Sequence, residues 1–547
     1  MSDLTTVPGL LENAASGGGV VTVLAGERED VAVGELWLRS ERAAARFLET
    51  VGPGGAVGLL LETSVDCLVS LLGAWRAGVT TLSLPPPPRS APPDAYRDDL
   101  LDIVRAAGAG LVVLPERLAG LDLAGAAPTA SFRECAAHPR RADVADPGEF
   151  VQFSSGSTGR PKGVRLASRS IAANVTAMIE HMAPHDQGAV AVSWLPLSHD
   201  MGLVGACLTI LASMGRPWRG RRLVLMPPER MVARPGRWLE ACSEFGATVT
   251  CAPGFALDLV LARARALPPG LDLRPLRILI VGSEPIAADT LRRFGRELAG
   301  LGFDETALCP AYGMAEAALA VTMVRPGERW RSTPADGAEV VSCGVPLRGL
   351  EVRAPAGAGA AGPVEVRGAS LLTGYLARTA PAVDGDGWLA TRDLGFVRDG
   401  ELYVVGRADD VLVLAGRKLS PEPLEAAAAR HAAVRPGGCA AVAAGGGYVV
   451  VAERRAAAAR ADLGEACRWI RRELAIRGAA PTEVVFVRPG SLPRTASGKL
   501  RRRQIGQLRV AGELAVEAVL RFGPAAAGPA FTGAGRDRTG ASRADPR

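Results

Sequence analysis

Apolar and polar residues alternate along this chain with two different periods, and together the two periods predict layers of helices and strands. After Ser64, a residue type that caps helices, apolar side chains recur at helical spacing until Gly78. Residues 79–84 form a short apolar run that prolines terminate, which is typical of a buried strand. A second helix is predicted at 98–107 and a second strand at 110–114. Strands that alternate with helices favour a mostly parallel sheet.

The same alternation continues through the middle of the chain. We predict helices at 169–182, 237–245 and 254–266, and strands at 190–197, 223–226, 247–252 and 278–281. Segments of these lengths fit the layers of an α/β domain and are too short to cross a membrane. We therefore expect a large N-terminal domain of layered α/β sheets.

Beyond about residue 343 the pattern changes to short strands separated by Gly- and Asp-containing turns. The predicted strands at 350–353, 362–367, 388–391 and 401–405 would form a small β-rich subdomain at about 343–406. After them we predict helices at 422–430 and 461–477, and strands at 439–443, 448–452 and 483–487. This second group indicates a compact α+β unit.

The predicted organisation is α/β, with two domains of unequal size. A length of 547 residues favours at least two domains. We expect a core domain at 1–406, a hinge at 407–410 and a small mobile C-terminal α+β domain at 411–520. The end of the chain, 524–547, is rich in Gly, Ala, Pro and Arg and is predicted to be disordered.

Composition and charge argue against several classes of protein. No apolar run is long enough to span a bilayer, and the first residues lack the basic and apolar segments of a signal peptide. The nine cysteines include no CxxC pair, which indicates reduced thiols in a cytoplasmic protein. The net charge is +6, but no basic run is interleaved with aromatic residues, so we do not expect nucleic-acid binding.

Lysine is rare in this chain, and its positions are informative. Of 63 basic residues only three are lysines, Lys162, Lys418 and Lys499, and each lies in a glycine-containing turn. A compact ammonium group cannot be exchanged freely with a planar guanidinium where a point-like cation is needed. The three lysines are therefore candidates for contacts with an anion.

A Gly- and Ser-rich loop follows an apolar strand and has the composition of a phosphate-binding cradle. Its candidate residues are Ser154, Ser155, Gly156, Ser157, Thr158, Gly159 and Lys162. Glycines let backbone N–H groups point inward, hydroxyls add donors, and the lysine adds a cation. It is not a Walker A loop, because Pro161 and Gly163 stand where that motif requires Gly and Ser/Thr. The alternative is a flexible linker, but linkers seldom follow an apolar strand directly. The helix predicted next places the cradle at a strand-to-helix junction.

Three further turns after predicted strands carry polar residues. His199 and Asp200 follow one strand, the GSEP turn at 282–285 follows another, and AYGMAEA at 311–317 ends a third. Open α/β sheets bind ligands at such strand ends. His199 is a candidate for holding a substrate head group, and the alternative is a structural histidine at the start of a helix.

Taken together, these segments resemble the adenylate-forming superfamily of acyl-CoA synthetases, peptide-synthetase adenylation domains, luciferases and fatty-acyl-AMP ligases. The matching motifs, in the order typical of the family, are QFSSGSTGRPKGV, AYGMAEA, ATRDLG, GRADDVLVLAGRKLSPEPLE and LPRTASGKLRR. Three more segments, SWLPLSHDMGLVG, GSEP and APGFALDL, are most similar to the fatty-acyl-AMP ligase branch. The resemblance covers about residues 10–510.

The resemblance implies ATP and Mg²⁺ as ligands and gives each motif a role. Thr158 and its loop are implied to bind phosphate, and Thr158 and Glu316 to bind Mg²⁺. The residues implied to bind adenine are Gly282, Ser283, Glu284, Tyr312, Gly313 and Met314. Asp393 and Arg407 are implied to bind the ribose, and Asp409 is implied to be the hinge. The implied catalytic residues are Lys499, His199 and Glu316. Lys499 would contact the substrate carboxylate and the α-phosphate.

The implied reaction is attack of a carboxylate on the α-phosphorus of ATP, which releases pyrophosphate and leaves an acyl adenylate. The acid would be fatty or otherwise apolar, and the candidate pocket walls are Trp194, Met201, Val204, Phe255 and Met314. The acyl group would then pass to the phosphopantetheine thiol of an acyl carrier protein. The alternatives are a CoA ligase, transfer to an amine or another acceptor, and a nucleotide-binding module without catalysis. The presence of Glu316 and Lys499 argues against the last of these.

Two features depart from the family pattern. Arg392 stands where the motif Thr-Gly-Asp is usual, so we expect a tilted turn or a guanidinium near the nucleotide. The segment 320–341 is short for the insertion that hinders the CoA-using conformation in fatty-acyl-AMP ligases. The second departure leaves the thiol acceptor open.

Overall fold

The structure is a computed structural model that describes most of the chain. The described residues are 3–87, 93–123, 125–155, 161–182, 188–215, 221–335, 338–355, 361–376, 382–414, 417–445, 447–458, 462–494 and 500–522. The phosphate-loop residues 156–160, Lys499 and the predicted tail at 524–547 lie outside these ranges.

The first part of the chain alternates helices and strands, as its apolar periods predict. The helices are α1 (Val7–Ala15), α2 (Val33–Val51), α3 (Val65–Arg76), α4 (Pro93–Ala107), α5 (Phe132–Ala136) and α6 (Ser168–Met182). The strands are β1 (Val20–Val23), β2 (Glu29–Ala32), β3 (Ala56–Leu59), β4 (Thr80–Ser83), β5 (Ala109–Leu114), β6 (Thr129–Ser131), β7 (Glu149–Ser155) and β8 (Pro161–Ala167). Ser64 caps α3 as predicted, because its hydroxyl accepts a hydrogen bond from the Cys67 N–H group.

A second α/β segment continues the alternation. Its helices are α7 (Thr209–Ser213), α8 (Pro228–Ala233), α9 (Gly236–Phe245), α10 (Gly254–Leu261) and α11 (Ala288–Leu298), with a π-helix at Met201–Leu208. Its strands are β9 (Val190–Ser193), β10 (Arg222–Leu225), β11 (Val249–Ala252), β12 (Ile278–Val281), β13 (Leu308–Gly313), β14 (Ala320–Met323), β15 (Ser332–Ala335) and β16 (Ala338–Val341). The strand predicted at 190–197 ends at Ser193, because a turn closed by a hydrogen bond from the His199 N–H group to the Pro196 carbonyl oxygen follows it.

Two mostly parallel sheets form the large N-terminal domain. One has the strand order β20-β8-β7-β4-β3-β5-β6, and the other β17-β14-β13-β12-β11-β9-β10-β1-β2, where β17 (Val345–Pro346) and β20 (Gly374–Tyr375) are short edge strands. The antiparallel pairs lie at the ends of the sheets. One apolar core contains residues of both sheets and of the helices between them, including Val57, Leu72 and Val192. The mostly parallel sheet that the sequence predicts is therefore confirmed, and there are two of them.

The prediction that the phosphate loop lies at a strand-to-helix junction is wrong. β7 and β8 pair antiparallel, up to the pair Ser155 and Pro161, so residues 156–160 connect the two strands of a β-hairpin. Val164 and Leu166 are both buried, and this period of two residues is a signal for β8 that the predicted loop before the helix at 169–182 leaves out. Helix α6 begins only after this second strand.

The predicted β-rich segment forms an antiparallel sheet. It contains β18 (Leu350–Arg353), β19 (Gly362–Gly368), β21 (Leu389–Arg398) and β22 (Glu401–Arg407), in the order β18-β19-β21-β22. β21 and β22 are longer than predicted, and their hairpin carries the chain to Arg407, at the predicted hinge.

The end of the described chain forms a small α+β domain with cores of its own. Its elements are β23 (Leu412–Leu414), β24 (Arg417–Leu419), α12 (Pro421–Ala428), β25 (Val434–Ala444), β26 (Gly447–Arg454), α13 (Leu463–Ile476), β27 (Glu483–Val487), α14 (Arg502–Ala511) and β28 (Val516–Arg521). The sheet β25-β26-β27-β28 has one apolar core around Tyr448 and another around Ile505, and neither includes residues of the N-terminal sheets. Helix α14 escaped prediction because Ile505 is its one buried residue.

Within the described ranges, no helix has both the length and the apolar character that a membrane span requires. The nine cysteines are free and buried. Burial raises the pKa of their thiols, for Cys207 to about 12, so thiolate chemistry at neutral pH is disfavoured.

Candidate active site

Two turns that follow neighbouring parallel strands meet at one edge of the larger sheet. β12 leads into Gly282 and Ser283, and its neighbour β13 ends with Tyr312 and Gly313. A Cβ atom on Gly282 would lie 2.9 Å from the Ala311 carbonyl oxygen, so the two turns approach too closely for a larger residue. Ser283 has a φ of 68°, a strained conformation that often marks a functional turn. This edge is where the sequence predicts adenine binding.

Asp393 connects this edge to the β-rich sheet. The Tyr312 hydroxyl donates a hydrogen bond to Asp393 Oδ2 at 2.6 Å, and Arg407 Nη1 lies 3.3 Å from Asp393 Oδ1. Asp393 and Arg407 are directly opposite each other on β21 and β22. Burial, together with the Asp393 carboxylate, raises the pKa of Tyr312 well above its usual range. Three residues that the resemblance places around one nucleoside are thus in direct contact.

Glu316 lies in a second cluster next to the first. Lys162 Nζ donates a hydrogen bond to Glu316 Oε1 at 3.1 Å and lies 3.6 Å from the centroid of the Tyr375 ring. The Tyr375 hydroxyl also donates to Glu316 Oε1, at 3.4 Å. The antiparallel pair of β8 and β20 brings Lys162 and Tyr375 together. The predicted phosphate-binding lysine and the predicted metal-binding carboxylate are therefore neighbours.

His199 and Asp200 stand at the start of the π-helix. His199 Nδ1 lies 2.7 Å from Asp200 Oδ1, which also accepts a hydrogen bond from the Met201 N–H group at 2.7 Å. The Ser283 hydroxyl donates to Met201 Sδ at 3.2 Å, so this turn touches the predicted adenine turn. π-Helical turns are frequent at functional sites. The catalytic role of His199 stays a prediction.

The predicted pocket walls form an aromatic cluster beside the same turn. Trp194 and Phe255 meet edge to face, with ring centroids 6.2 Å apart. Trp194, Met201 and Val204 are buried, and Met314 is partly buried against the same core. Glu284 Oε1 accepts a hydrogen bond from the Phe255 N–H group at 2.5 Å. Besides its predicted role at adenine, Glu284 therefore caps the first turn of α10.

The C-terminal domain reaches this edge through the segment before Lys499. Arg494 forms an antiparallel bridge with Leu500, across the segment that contains Lys499. Its Nη2 lies 3.7 Å from the fully buried carboxylate of Glu453. Burial lowers the pKa of Arg494, while the carboxylates of Glu453 and Glu284 oppose this shift. Arg494 therefore interacts electrostatically with Glu284, a residue of the other domain.

The described part of the chain joins most of the predicted site residues into one region. They are Lys162, His199, Gly282, Ser283, Glu284, Tyr312, Gly313, Met314, Glu316, Asp393 and Arg407. Gly156, Ser157, Thr158, Gly159 and Lys499 lie outside the described residues, and Ser154 and Ser155 are described only as backbone of β7. The sequence does not predict the roles of Tyr375 and Arg494. The rarity of tyrosine, with only five in the chain, is the signal that singles out Tyr375.

The fold has layered parallel sheets, adjacent strand-end turns that Tyr312 and Asp393 connect to the β-rich sheet, and a small C-terminal domain. Together these features define an enzyme of the adenylate-forming class. A profile of the AMP-binding enzyme family matches residues 11–376, more than half of the chain. The protein therefore belongs to the AMP-binding enzyme family, whose members use ATP. The family predicted from the motifs and the α/β fold class predicted from the apolar pattern are confirmed.

Relatives and solved structures agree with this assignment. The chain is 28% identical to a long-chain-fatty-acid–AMP ligase of Mycolicibacterium smegmatis, with 87% of this chain and 88% of the relative covered. It is 27% identical to a 4-hydroxyphenylalkanoate adenylyltransferase of Mycobacterium tuberculosis, over 87% of this chain and 86% of the relative. A solved structure from a study of fatty acyl-adenylate ligases of E. coli and L. pneumophila superposes with a TM-score of 0.84 at 26% identity, covering 92% of this chain and 98% of the other.

Proposed function

We propose that the protein activates a carboxylic acid with ATP, releases pyrophosphate, and transfers the acyl group from AMP to a thiol. The contact of Asp393 with both Tyr312 and Arg407 carries the proposal. A buried carboxylate at a strand-end turn is an acceptor suited to the two hydroxyl groups of a ribose. Its partners fix the carboxylate in place, and Tyr312 offers an aromatic face for the attached base.

The first half-reaction joins two anions, so the positions of cations govern its rate. A carboxylate oxygen attacks the α-phosphorus, the bond to the bridging oxygen breaks, and pyrophosphate leaves with the electron pair. Lys162 and Arg407 place two cations near the turn that holds Tyr312. Lys499 is proposed to add a third, close to the attacking oxygen. No protein group has to transfer a proton in this step.

Glu316 fits the role of a Mg²⁺ ligand. Magnesium is commonly held by one or two carboxylates together with the phosphates of a nucleotide. Glu316 is half-buried, and Lys162 and Tyr375 fix its orientation. When bound, the metal would neutralise part of the charge on the phosphate oxygens. Lys162 and Tyr375 would hold the Glu316 carboxylate in a position where one of its oxygens can bind the metal.

The proposed substrate is an acid with an apolar tail. Trp194, Val204 and Phe255 supply apolar surface beside the predicted adenine turn. The relatives named above act, by their names, on a long-chain fatty acid and a 4-hydroxyphenylalkanoate, which both combine a carboxylate with a largely apolar body. Pyrophosphate release should be screened with fatty, aryl-alkanoic and short polar acids. We expect turnover with an apolar acid, and selective turnover of short polar acids would contradict the proposed substrate class.

We propose a carrier-protein phosphopantetheine as the acceptor, in preference to free CoA. The likeness to fatty-acid–AMP ligases supports this choice. With the same acyl adenylate, loading of a carrier protein is expected to be faster than formation of acyl-CoA, since a docked carrier holds the thiol in place at high effective concentration. Thioester formation should be measured for both acceptors at equal concentration. Acyl-CoA formation at an equal or higher rate would favour the CoA ligase alternative.

Arg494 is expected to support the first half-reaction by holding the segment before Lys499 against the N-terminal domain. Arg494→Ala removes a largely buried cation that the Glu284 carboxylate attracts, so we expect adenylate formation to slow by about three- to tenfold. Glu284→Gln should slow it to a similar extent. The measurement is acid-dependent exchange of labelled pyrophosphate into ATP.

Arg435→Ala is the matched control for this prediction. Arg435 Nη1 lies 2.7 Å from Glu453 Oε2, so Arg435 and Arg494 pair with the same buried carboxylate. Either substitution leaves Glu453 one arginine, and Arg494 is the one that the Glu284 carboxylate is expected to attract. Equal loss of exchange in the Arg435 and Arg494 variants would show a general structural effect and not a contact between domains.

A further inference from the structure

The turn before Asp393 keeps a glycine-like conformation without a glycine. Arg392 has a φ of 66°, in the left-handed region that non-glycine residues seldom occupy. The backbone is therefore not tilted away from the shape that glycine would give it. An arginine in this conformation costs about 1 kcal/mol or more relative to glycine. Contacts of the side chain can offset that cost.

The Arg392 side chain contacts the predicted hinge and not the neighbouring Asp393. Its Nη1 atom lies 3.0 Å from Asp409 Oδ2 and 3.2 Å from Asp409 Oδ1. Asp393, the next residue, instead pairs with Arg407. Two adjacent residues of β21 thus form two ion pairs with the last residues before the C-terminal domain.

Asp410, which follows Asp409 in the chain, contacts the C-terminal domain. Arg502 of α14 donates a hydrogen bond from Nη1 to Asp410 Oδ2 at 2.8 Å. The same guanidinium also pairs with Glu422 and Glu425, both half-buried residues of α12. Asp409 is therefore tied to the N-terminal domain and Asp410 to the C-terminal domain. A rotation of one domain against the other has to change the backbone between these two ion pairs.

We infer that Arg392 is a positioning residue that holds Asp409 in the arrangement used for adenylate formation. The ion pair between Arg392 and Asp409 breaks when the C-terminal domain rotates to admit the thiol. This inference rests on the proposed function, which includes both half-reactions. About 65% of the Arg392 side chain and 32% of the Asp409 side chain are exposed, so solvent screens the pair. The ion pair therefore favours one conformation of the hinge but still allows the C-terminal domain to rotate.

The test compares the two half-reactions in variants of Arg392. The ratio of thiol transfer from supplied acyl adenylate to acid-dependent pyrophosphate exchange is expected to rise about two- to fivefold in Arg392→Ala. Arg392→Gly should raise it equally, and Arg392→Lys should stay near the wild-type ratio. The ratio does not depend on the fraction of folded enzyme, because both activities scale with that fraction.

Two controls separate the ion pair from other effects. Asp409→Asn should raise the ratio as Arg392→Ala does, and the double variant should add nothing further. Glu351→Gln removes an exposed ion pair with Arg367 in the same β-rich sheet and should leave the ratio unchanged.

The outcomes distinguish the inference from the proposed function. Absence of both half-reactions in the wild-type protein would defeat the proposed function itself. Normal half-reactions with an unchanged ratio in Arg392→Ala would overturn the inference alone. A rise in Arg392→Gly without a rise in Arg392→Ala would assign the effect to the backbone and would overturn the role of the ion pair.

Discussion

Replacement of Lys499 by Ala or by Arg is expected to slow the formation of the acyl adenylate by about 10²–10³-fold, as the loss of other preorganised charge stabilisers does. A compact ammonium can lie between a carboxylate oxygen and an α-phosphate oxygen, whereas a guanidinium is wider and directs its donors along a fixed fork. Lysine is kept at this position in a chain with only three lysines. The measurement is acid-dependent pyrophosphate exchange by the purified variants.

The same Lys499 variants provide their own control. Transfer of the acyl group from supplied acyl adenylate to a thiol is expected to stay near the wild-type rate, because the proposed rotation of the C-terminal domain would move Lys499 away from the nucleotide. Near-normal pyrophosphate exchange by Lys499→Arg would contradict both the proposed role and the argument from lysine rarity.

Asp393→Asn is expected to raise the KM for ATP by about 10–100-fold. The substitution keeps the shape of the side chain but removes the charge that accepts from Tyr312 and pairs with Arg407. A hydrogen bond to a charged group is worth about 1.5–3 kcal/mol, which corresponds to about 10–100-fold in affinity. The measurement is the dependence of pyrophosphate exchange on ATP concentration, with circular dichroism to verify the fold.

Asp399→Asn is the matched control for Asp393. Asp399 lies in the turn between β21 and β22, about 82% of its side chain is exposed, and its φ is 52°. Asparagine tolerates this backbone conformation well. An equal rise in the KM for ATP in both variants would place the effect in the hairpin and not in the carboxylate of Asp393.

The sequence predicts the helices and strands wherever the apolar period is regular. α3, β12, β18 and β27 follow their predicted spans closely, because most of their side chains are buried or alternate cleanly. The prediction fails where the period is short or weak. The sequence does not distinguish β8 from the loop before it, and α14 buries too few apolar residues to show a helical period.

The candidate site was predictable where a motif fixes both the residue type and its neighbours. Tyr312, Glu316 and Asp393 fall in such motifs, and the structure brings their strand ends together. Contacts between distant segments carry no local signal. The pairing of Tyr375 with Lys162 and the pairing of Arg392 with Asp409 depend on strand register and domain position, which a single sequence does not encode in any one stretch.

Acid-dependent exchange of labelled pyrophosphate into ATP tests the central claim most directly. We predict exchange that requires the protein, ATP, Mg²⁺ and an apolar carboxylic acid, together with an acyl adenylate of the corresponding mass in the reaction mixture. ATP binding without exchange, for every acid of a broad panel, would contradict the account.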